Sequence, residues 1–232
     1  MEFEQKLLRA KIVKRYKRFL SDLELESGEL IHAHVPNTGS MKTCWEAGWY
    51  AYISKSNDPK RKLPYTWELT DNGESLICVN TNLPNRIVKE ALELKQIPEL
   101  AVYSNVKPEQ KVLDSRIDFF LTEDGQPDAY VEVKNVTLKG EGKKALFPDA
   151  VSTRGQKHLK DLIQLKEQGH RSIMLYLINR SDVNCFEPAR DIDPEYANLL
   201  NQACEAGVEI LPYQTKLSPQ EIKIHQKLKY KL

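Results

Sequence analysis

The chain of 232 residues predicts an α+β protein in two parts: a small β-barrel of the oligonucleotide-binding type over residues 1–82, and an α/β unit with a mixed sheet flanked by helices over residues 83–232. Three observations carry this reading. Residues 7–82 hold short β-like runs separated by the turn-rich pieces PNTG, SNDPKR and TDNGES, with almost no helical period. Beyond Asn82 the pattern becomes strand, helix, strand, helix, strand. Between these regimes, residues 115–138 read as two alternating strands around a polar turn centred on Gly125.

Composition bounds the class. A hydrophobic content of 41% is ample for a packed core. No apolar run approaches the ~20 residues needed to cross a bilayer, and MEFEQKLLRAKIVKRYKRF has no uninterrupted apolar core of a secretory signal, so a cytoplasmic protein is expected. Cys44, Cys78, Cys185 and Cys204 lack C-x-x-C spacing, which argues against a zinc site or a disulfide framework. The formal net charge is only +1, but Lys6, Arg9, Lys11, Lys14, Arg15, Lys17 and Arg18 face only Glu2 and Glu4 in the first twenty residues, a local net of +5. Interleaved with Tyr16 and Phe19, this run suits a phosphate backbone and stacked bases, although a solvated basic strand face would read the same way. Arg15, Tyr16, Lys17 and Arg18 are the candidate nucleic-acid contacts.

In the barrel, strands are expected at 11–19, 30–34, 49–53, 64–69 and 75–79. The loop His34-Val-Pro-Asn-Thr-Gly-Ser-Met41 is a turn whose N–H groups could hold a phosphate. His32 and His34 share a strand face but lack a third metal ligand. A helix starts near Asn82 and Pro84, with Ile87, Val88, Ala91, Leu92 and Leu94 as its apolar stripe and Glu90 beside it, either a boundary residue paired with a nearby Lys or an acid able to approach a site at the sheet edge. Residues 97–114 carry few signals and are expected to lead across to the hairpin.

Symmetry about Gly125 places Asp118 opposite Glu132, with Cβ atoms about 5 Å apart. Two opposed carboxylates are destabilising unless a cation sits between them, and a divalent metal with hard oxygen ligands fits them, with Lys134 on the same face to orient a water. A solvated hairpin face with ordinary surface acids is the competing reading. The KGEGKK stretch after Leu138 is expected to be a mobile loop over the site. Ser152 or Thr153 then caps a helix over 154–168 ended by Gly169. Arg154, Gln156, Lys157 and His158 lie in its first turns, where donors suit an anionic ligand. A buried strand at 172–178, a helix at 194–206 and a strand at 208–213 follow, and Lys223, Lys227, Lys229 and Lys231 are expected in a soluble tail.

Asp118 on one strand, Glu132-Val133-Lys134 on the next, and a helix bearing Arg154, Gln156 and His158 resemble the PD-(D/E)xK nuclease superfamily. The wider blocks YKRFL, HVPNTGSM, RKLPYTWELT, ICVNT, SRIDFFL, YVEVKNVTL, FPDAV and RGQKHL are similar to the sugar fermentation stimulation protein A family, over essentially the full chain. That resemblance implies an oligonucleotide-binding-like barrel joined to a nuclease-like domain, DNA binding without marked sequence preference, and a regulatory link to sugar use. It also implies Asp118 and Glu132 as ligands of Mg²⁺ or Mn²⁺, Lys134 as the residue that positions water, Glu90 as a helix acid, and Gln156 and His158 near the scissile phosphate. The superfamily's Pro-Asp pair appears here as Ile117-Asp118. Two functions are expected to compete: binding DNA, and hydrolysing its phosphodiester bonds with Mg²⁺.

Overall fold

In the first lobe, Ala10, Ile12, Leu23, Ile31, Ala33, Ala51, Ile53 and Trp67 alternate inward along their strands and fill one core. The computed structural model describes residues 1–232. Strands β1 (Leu8–Tyr16), β2 (Leu20–Leu25), β3 (Leu30–His34), β4 (Tyr50–Lys55) and β5 (Tyr65–Asp71) form a closed barrel: β3 pairs in parallel with β5, and the other neighbours are antiparallel. A short β6 (Leu76–Cys78) extends it. Strand β2 was not expected, because the run at 11–19 continues across the reversal that precedes it. That turn uses Lys17 and Arg18 at φ 48° and 64°, left-handed residues without the glycine or asparagine that usually marks such a turn.

Helix α1 (Pro84–Glu93) follows, then a 3-10 turn (Pro98–Leu100) and strands β7 (Asn105–Val112), β8 (Ser115–Thr122) and β9 (Ala129–Val136). Strand β7 carries Pro108 and polar residues because it is an edge strand, and that composition hid it in the sequence. The expected mobile loop is instead a hairpin of β10 (Leu138–Lys139) and β11 (Lys144–Phe147). Then come α2 (Thr153–Glu167), β12 (Arg171–Ile178), β13 (Cys185–Pro188), α3 (Pro194–Glu205), β14 (Glu209–Leu217), β15 (Ile222–Lys227) and β16 (Lys229–Tyr230). The basic tail is therefore ordered: β15 pairs with β14, β16 pairs with β13, and Lys227 meets Glu99 at 2.7 Å.

The main sheet runs β15-β14-β12-β9-β8-β7, with β9, β12 and β14 parallel. Helix α1 and the barrel residues Leu69 and Cys78 cover one face together with Phe119, Leu121, Val131 and Val133. Residues of α2 and α3, among them Leu159, Leu162, Tyr196 and Leu200, cover the other with Tyr130, Met174 and Tyr176. No helix is long and apolar enough to cross a membrane.

The β8–β9 register is Phe119 to Val131, Phe120 to Tyr130 and Leu121 to Ala129, the pairing that symmetry about Gly125 requires. The side-chain alternation departs from expectation at Asp118. On the β7 side the ladder passes from Pro108–Phe119 to Gln110–Ile117, while Glu109 between them takes φ 54°. Across this irregularity Ile117 packs with the α2 side, whereas Phe119 and Leu121 pack with the α1 side.

Candidate metal centre and nucleic-acid surface

Asp118 lies where β8 leaves the ladder, and its two oxygens are held separately. Oδ2 accepts from the Val133 N–H at 2.8 Å, and Oδ1 accepts from Asn85 Nδ2, in the first turn of α1, at 2.7 Å. Glu132, on the adjacent β9, is 3% exposed. Its Oε1 accepts from Lys134 Nζ at 2.5 Å and from His158 Nδ1 of α2. His158 Nε2 accepts from Arg154 Nε at 3.4 Å, so the ring proton belongs on Nδ1 and points at Glu132. Lys134 Nζ, 3.2 Å from Nδ1, then shares the carboxylate oxygen with the ring rather than bonding to it.

The other oxygen, Glu132 Oε2, is buried without any hydrogen-bond partner. A buried acceptor left open is costly, and most such groups in native proteins are paired. Burial, then the nearby Glu132 charge, pushes the Asp118 carboxyl above the ordinary carboxylate range. Burial also drives Glu132 upward, but the His158 hydrogen bond and the charge of Lys134 outweigh it and hold the group below that range. The two acids are thus driven apart, because His158 and Lys134 answer Glu132 while burial and the Glu132 charge oppose ionisation of Asp118. The donor set consists of two carboxylates with open lone pairs, and no group of three or more His, Cys, Asp or Glu residues could hold a metal. Such a pair fits a hard cation that keeps several waters.

The structure brings Asp118, Glu132, Lys134, His158 and Arg154 together. It does not bring Glu90, which pairs with the terminal ammonium of Met1, because that face of α1 turns to the chain start and to β15. Asn85 takes the place at Asp118 that Glu90 was expected to fill. No period in the sequence marks Asn85; only the docking of α1 reveals it. Gln156 donates to both carboxylate oxygens of Asp193, at 2.9 and 3.1 Å. Asp193 caps α3 and also accepts from the Ser152 N–H at 2.8 Å, so Gln156 ties the start of α2 to α3. Lys157 reaches the Asp114 carbonyl at 2.6 Å. Ser152 caps α2 by accepting from the Gly155 N–H at 3.0 Å.

Three of the seven basic residues in the run on the barrel, Arg9, Lys14 and Arg15, are engaged within the chain. Arg9 stacks on Tyr50 and lies 3.8 Å from Asp71, and Lys14 pairs with Asp22 at 3.1 Å. Arg15 Nη2 donates to the carbonyls of Arg18, Asn37 and Gly39, so it braces the loop that follows β3. The Tyr16 hydroxyl donates to Asp22 Oδ1 at 2.9 Å, and His32 Nδ1 lies 2.7 Å from the same oxygen. Lys17 and Arg18 are exposed at the β1–β2 turn beside Phe19, itself 45% exposed.

A closed five-stranded barrel leading into a mixed sheet with Asp118 and Glu132-x-Lys134 on adjacent strands defines the class: an oligonucleotide-binding-like fold joined to a PD-(D/E)xK-like α/β domain. The chain matches the family model "SfsA N-terminal OB domain" over residues 13–79 and the model "Sugar fermentation stimulation protein RE domain" over residues 82–221. It belongs to the sugar fermentation stimulation protein (SfsA) family. The homolog from Geotalea uraniireducens (strain Rf4) is 48% identical over 100% of both chains. That from Marinomonas sp. (strain MWYL1) is 45% identical over 97% of this chain and 88% of its own length. The solved structure of Pyrococcus furiosus SfsA in complex with Ca²⁺ is 28% identical and superposes with a TM-score of 0.87, covering 100% of this chain and 98% of that one.

Proposed function

We propose that this is a cytoplasmic DNA-binding protein without marked sequence preference, built as a barrel domain to about residue 82 and an α/β domain beyond it, with a divalent-metal site at Asp118 and Glu132. The observation that carries the reading is the buried, partnerless Glu132 Oε2 beside Asp118. The Ca²⁺ complex of the Pyrococcus furiosus relative supports it. Mg²⁺ or Mn²⁺ held by these two carboxylates would polarise a phosphate oxygen and acidify bound water. Lys134 places a cation beside the same acid, where charge develops on a phosphoryl group under attack. His158 holds Glu132 by one oxygen and so fixes the direction of the other. Arg154, in the first turn of α2, adds a guanidinium to the positive end of that helix, a setting suited to a backbone phosphate. On the barrel, Lys17 and Arg18 offer charge and Phe19 a stacking face.

A second reading, favoured by the presence of Asp118, Glu132 and Lys134 together, is Mg²⁺-dependent hydrolysis of DNA phosphodiester bonds. Incubation with plasmid and with single-stranded DNA in Mg²⁺ or Mn²⁺ decides it. Cleavage that Glu132→Ala abolishes, with DNA retention in Ca²⁺ intact, establishes the enzyme; no cleavage by the wild type on any substrate leaves binding alone. For the barrel, replacing Lys17 and Arg18 by Ala is expected to flatten the dependence of log affinity on log salt by roughly 1.5, and an unchanged slope moves the DNA contact elsewhere. The family's name adds a regulatory link to sugar use, which we extend to this chain as part of the same proposal.

A further inference from the structure

Immediately past the metal-site strand lies a cavity of about 220 Å³ between the two lobes. Its floor begins at Asn135, the residue after Lys134, and continues through Thr137; the barrel loop at Asn37, Thr38 and Gly39 forms the opposite wall. Phe147 and Asp149 close the side. The volume is below that of pockets for drug-sized ligands and suits a single ring system.

The lining is specific in what it lacks. It contains no lysine or arginine, so it is not built for a phosphate. Its one charged group is Asp149, whose hydrogen bond from Ser40 Oγ is long at 3.5 Å, leaving the carboxylate open to donors. Asn135 Oδ1 is taken by Asn179 Nδ2 at 2.7 Å, so the amide nitrogen is what this side chain has left to offer. Phe147 is braced from behind by Tyr176 and Tyr196, at ring separations of 5.7 and 5.2 Å. The walls meet closely: a Cβ on Gly39 would lie 2.8 Å from Asp149 Oδ2 and 3.0 Å from Asn37 Oδ1, so a larger residue there would push these side-chain ends aside.

We propose that this cavity is a base pocket that receives the nucleobase adjoining the phosphate at Asp118, Glu132 and Lys134, with Phe147 against the ring and Asp149 accepting from its edge. The inference rests on the nucleic-acid reading above and specifies which strand enters: a base can reach the pocket only from a single-stranded, frayed or terminal position. Guanine fits best. Its N1–H and N2–H lie side by side and match both oxygens of a carboxylate, whereas cytosine and adenine set a ring acceptor beside their amine and thymine flanks its single N–H with carbonyls. Preference at one nucleotide is compatible with little sequence preference over a whole site.

The test is fluorescence anisotropy of the full chain in Ca²⁺ with a labelled oligothymidylate and the same strand carrying one dG at each position in turn. The wild type is expected to bind one dG-containing strand about tenfold more tightly than the all-dT strand. Asp149→Asn is expected to lose that advantage while binding all-dT as the wild type does, which also reports that the variant is folded. Equal affinity for every strand, or an advantage that survives Asp149→Asn, overturns the base pocket alone. Failure of the wild type to bind any of these strands overturns this inference, and failure to bind duplex DNA as well overturns the nucleic-acid reading.

Discussion

The seam between barrel and sheet and the Asp118–Glu132 site both bury carboxylates, but they treat them differently. At the seam, Glu68 is 6% exposed and accepts at one oxygen from Ser54 Oγ and at the other from Asn80 Nδ2, each at 2.6 Å. Asp182 takes a two-pronged contact from Arg180, at 2.7 and 2.9 Å, and another from Lys139 at 2.9 Å. Arg180, 1% exposed, spends its remaining donors on Thr43 of the barrel and on the Thr137 carbonyl, at 2.6–3.3 Å. Every strong polar group there is answered from within the chain. At the site, by contrast, Glu132 keeps one oxygen buried and unanswered, and burial together with the Glu132 charge opposes the ionisation of Asp118. The seam is satisfied within the chain; the site leaves an acceptor open.

Breaking the seam should give the largest effect. Asp182→Ala leaves the Arg180 guanidinium buried without its carboxylate and is expected to cost about 3–5 kcal/mol in urea unfolding. The same ion pair predicts acid sensitivity. Although burial raises the Asp182 pKa, Arg180 and Lys139 outweigh it and pull it to about 2. A carboxyl depressed in the folded state stabilises fully above its unfolded pKa and loses that contribution as pH falls through the folded one. The loss, on the order of 2 kcal/mol, should therefore fall between the ordinary aspartate range and about pH 2, and should be missing in Asp182→Asn. A smaller effect is expected at the site, and in a different observable. Glu132→Gln should weaken Mn²⁺ binding, followed by calorimetry, by about 100-fold, while Asp182→Ala, where it still folds, should leave that affinity nearly unchanged. The smallest is Asn85→Ala, which frees one Asp118 oxygen and should cost about tenfold in Mn²⁺ affinity with little change in the unfolding midpoint. If Asn85→Ala destabilises the fold as much as Asp182→Ala does, the contrast between seam and site fails.

The parts of the fold that periodicity can report were legible. The hairpin register follows from one turn residue, and the stripe of α1 from Ile87, Val88, Ala91 and Leu92, all buried, whereas Leu94, expected in the same stripe, caps the helix and is exposed. Strands too short or too polar to alternate were not: β7 with its Pro108, the two-residue β10 and β16, and β2 behind a turn without glycine. At the site, Asp118, Glu132, Lys134 and His158 could be found because hairpin symmetry and a helix cap place them. Glu90 was expected on helical phase and on the family resemblance, and neither says which end of a docked helix meets which strand. Asn85 at Asp118, Arg180 at Thr43 and Lys139 at Asp182 are contacts between elements distant in sequence, where no local pattern exists. The basic N-terminal run shows the same limit, since counting charges does not reveal that Asp22, Asp71 and backbone carbonyls already claim Lys14, Arg9 and Arg15.

The central claim is that Glu132 Oε2 is held open for a cation. A crystal grown with Mn²⁺ and measured at the manganese absorption edge tests it most directly. The account predicts an anomalous peak bonded to Glu132 Oε2 and Asp118, with Oε1 still held by His158 and Lys134. A map in which manganese is absent from this pair, with Oε2 turned to a protein donor instead, would contradict it.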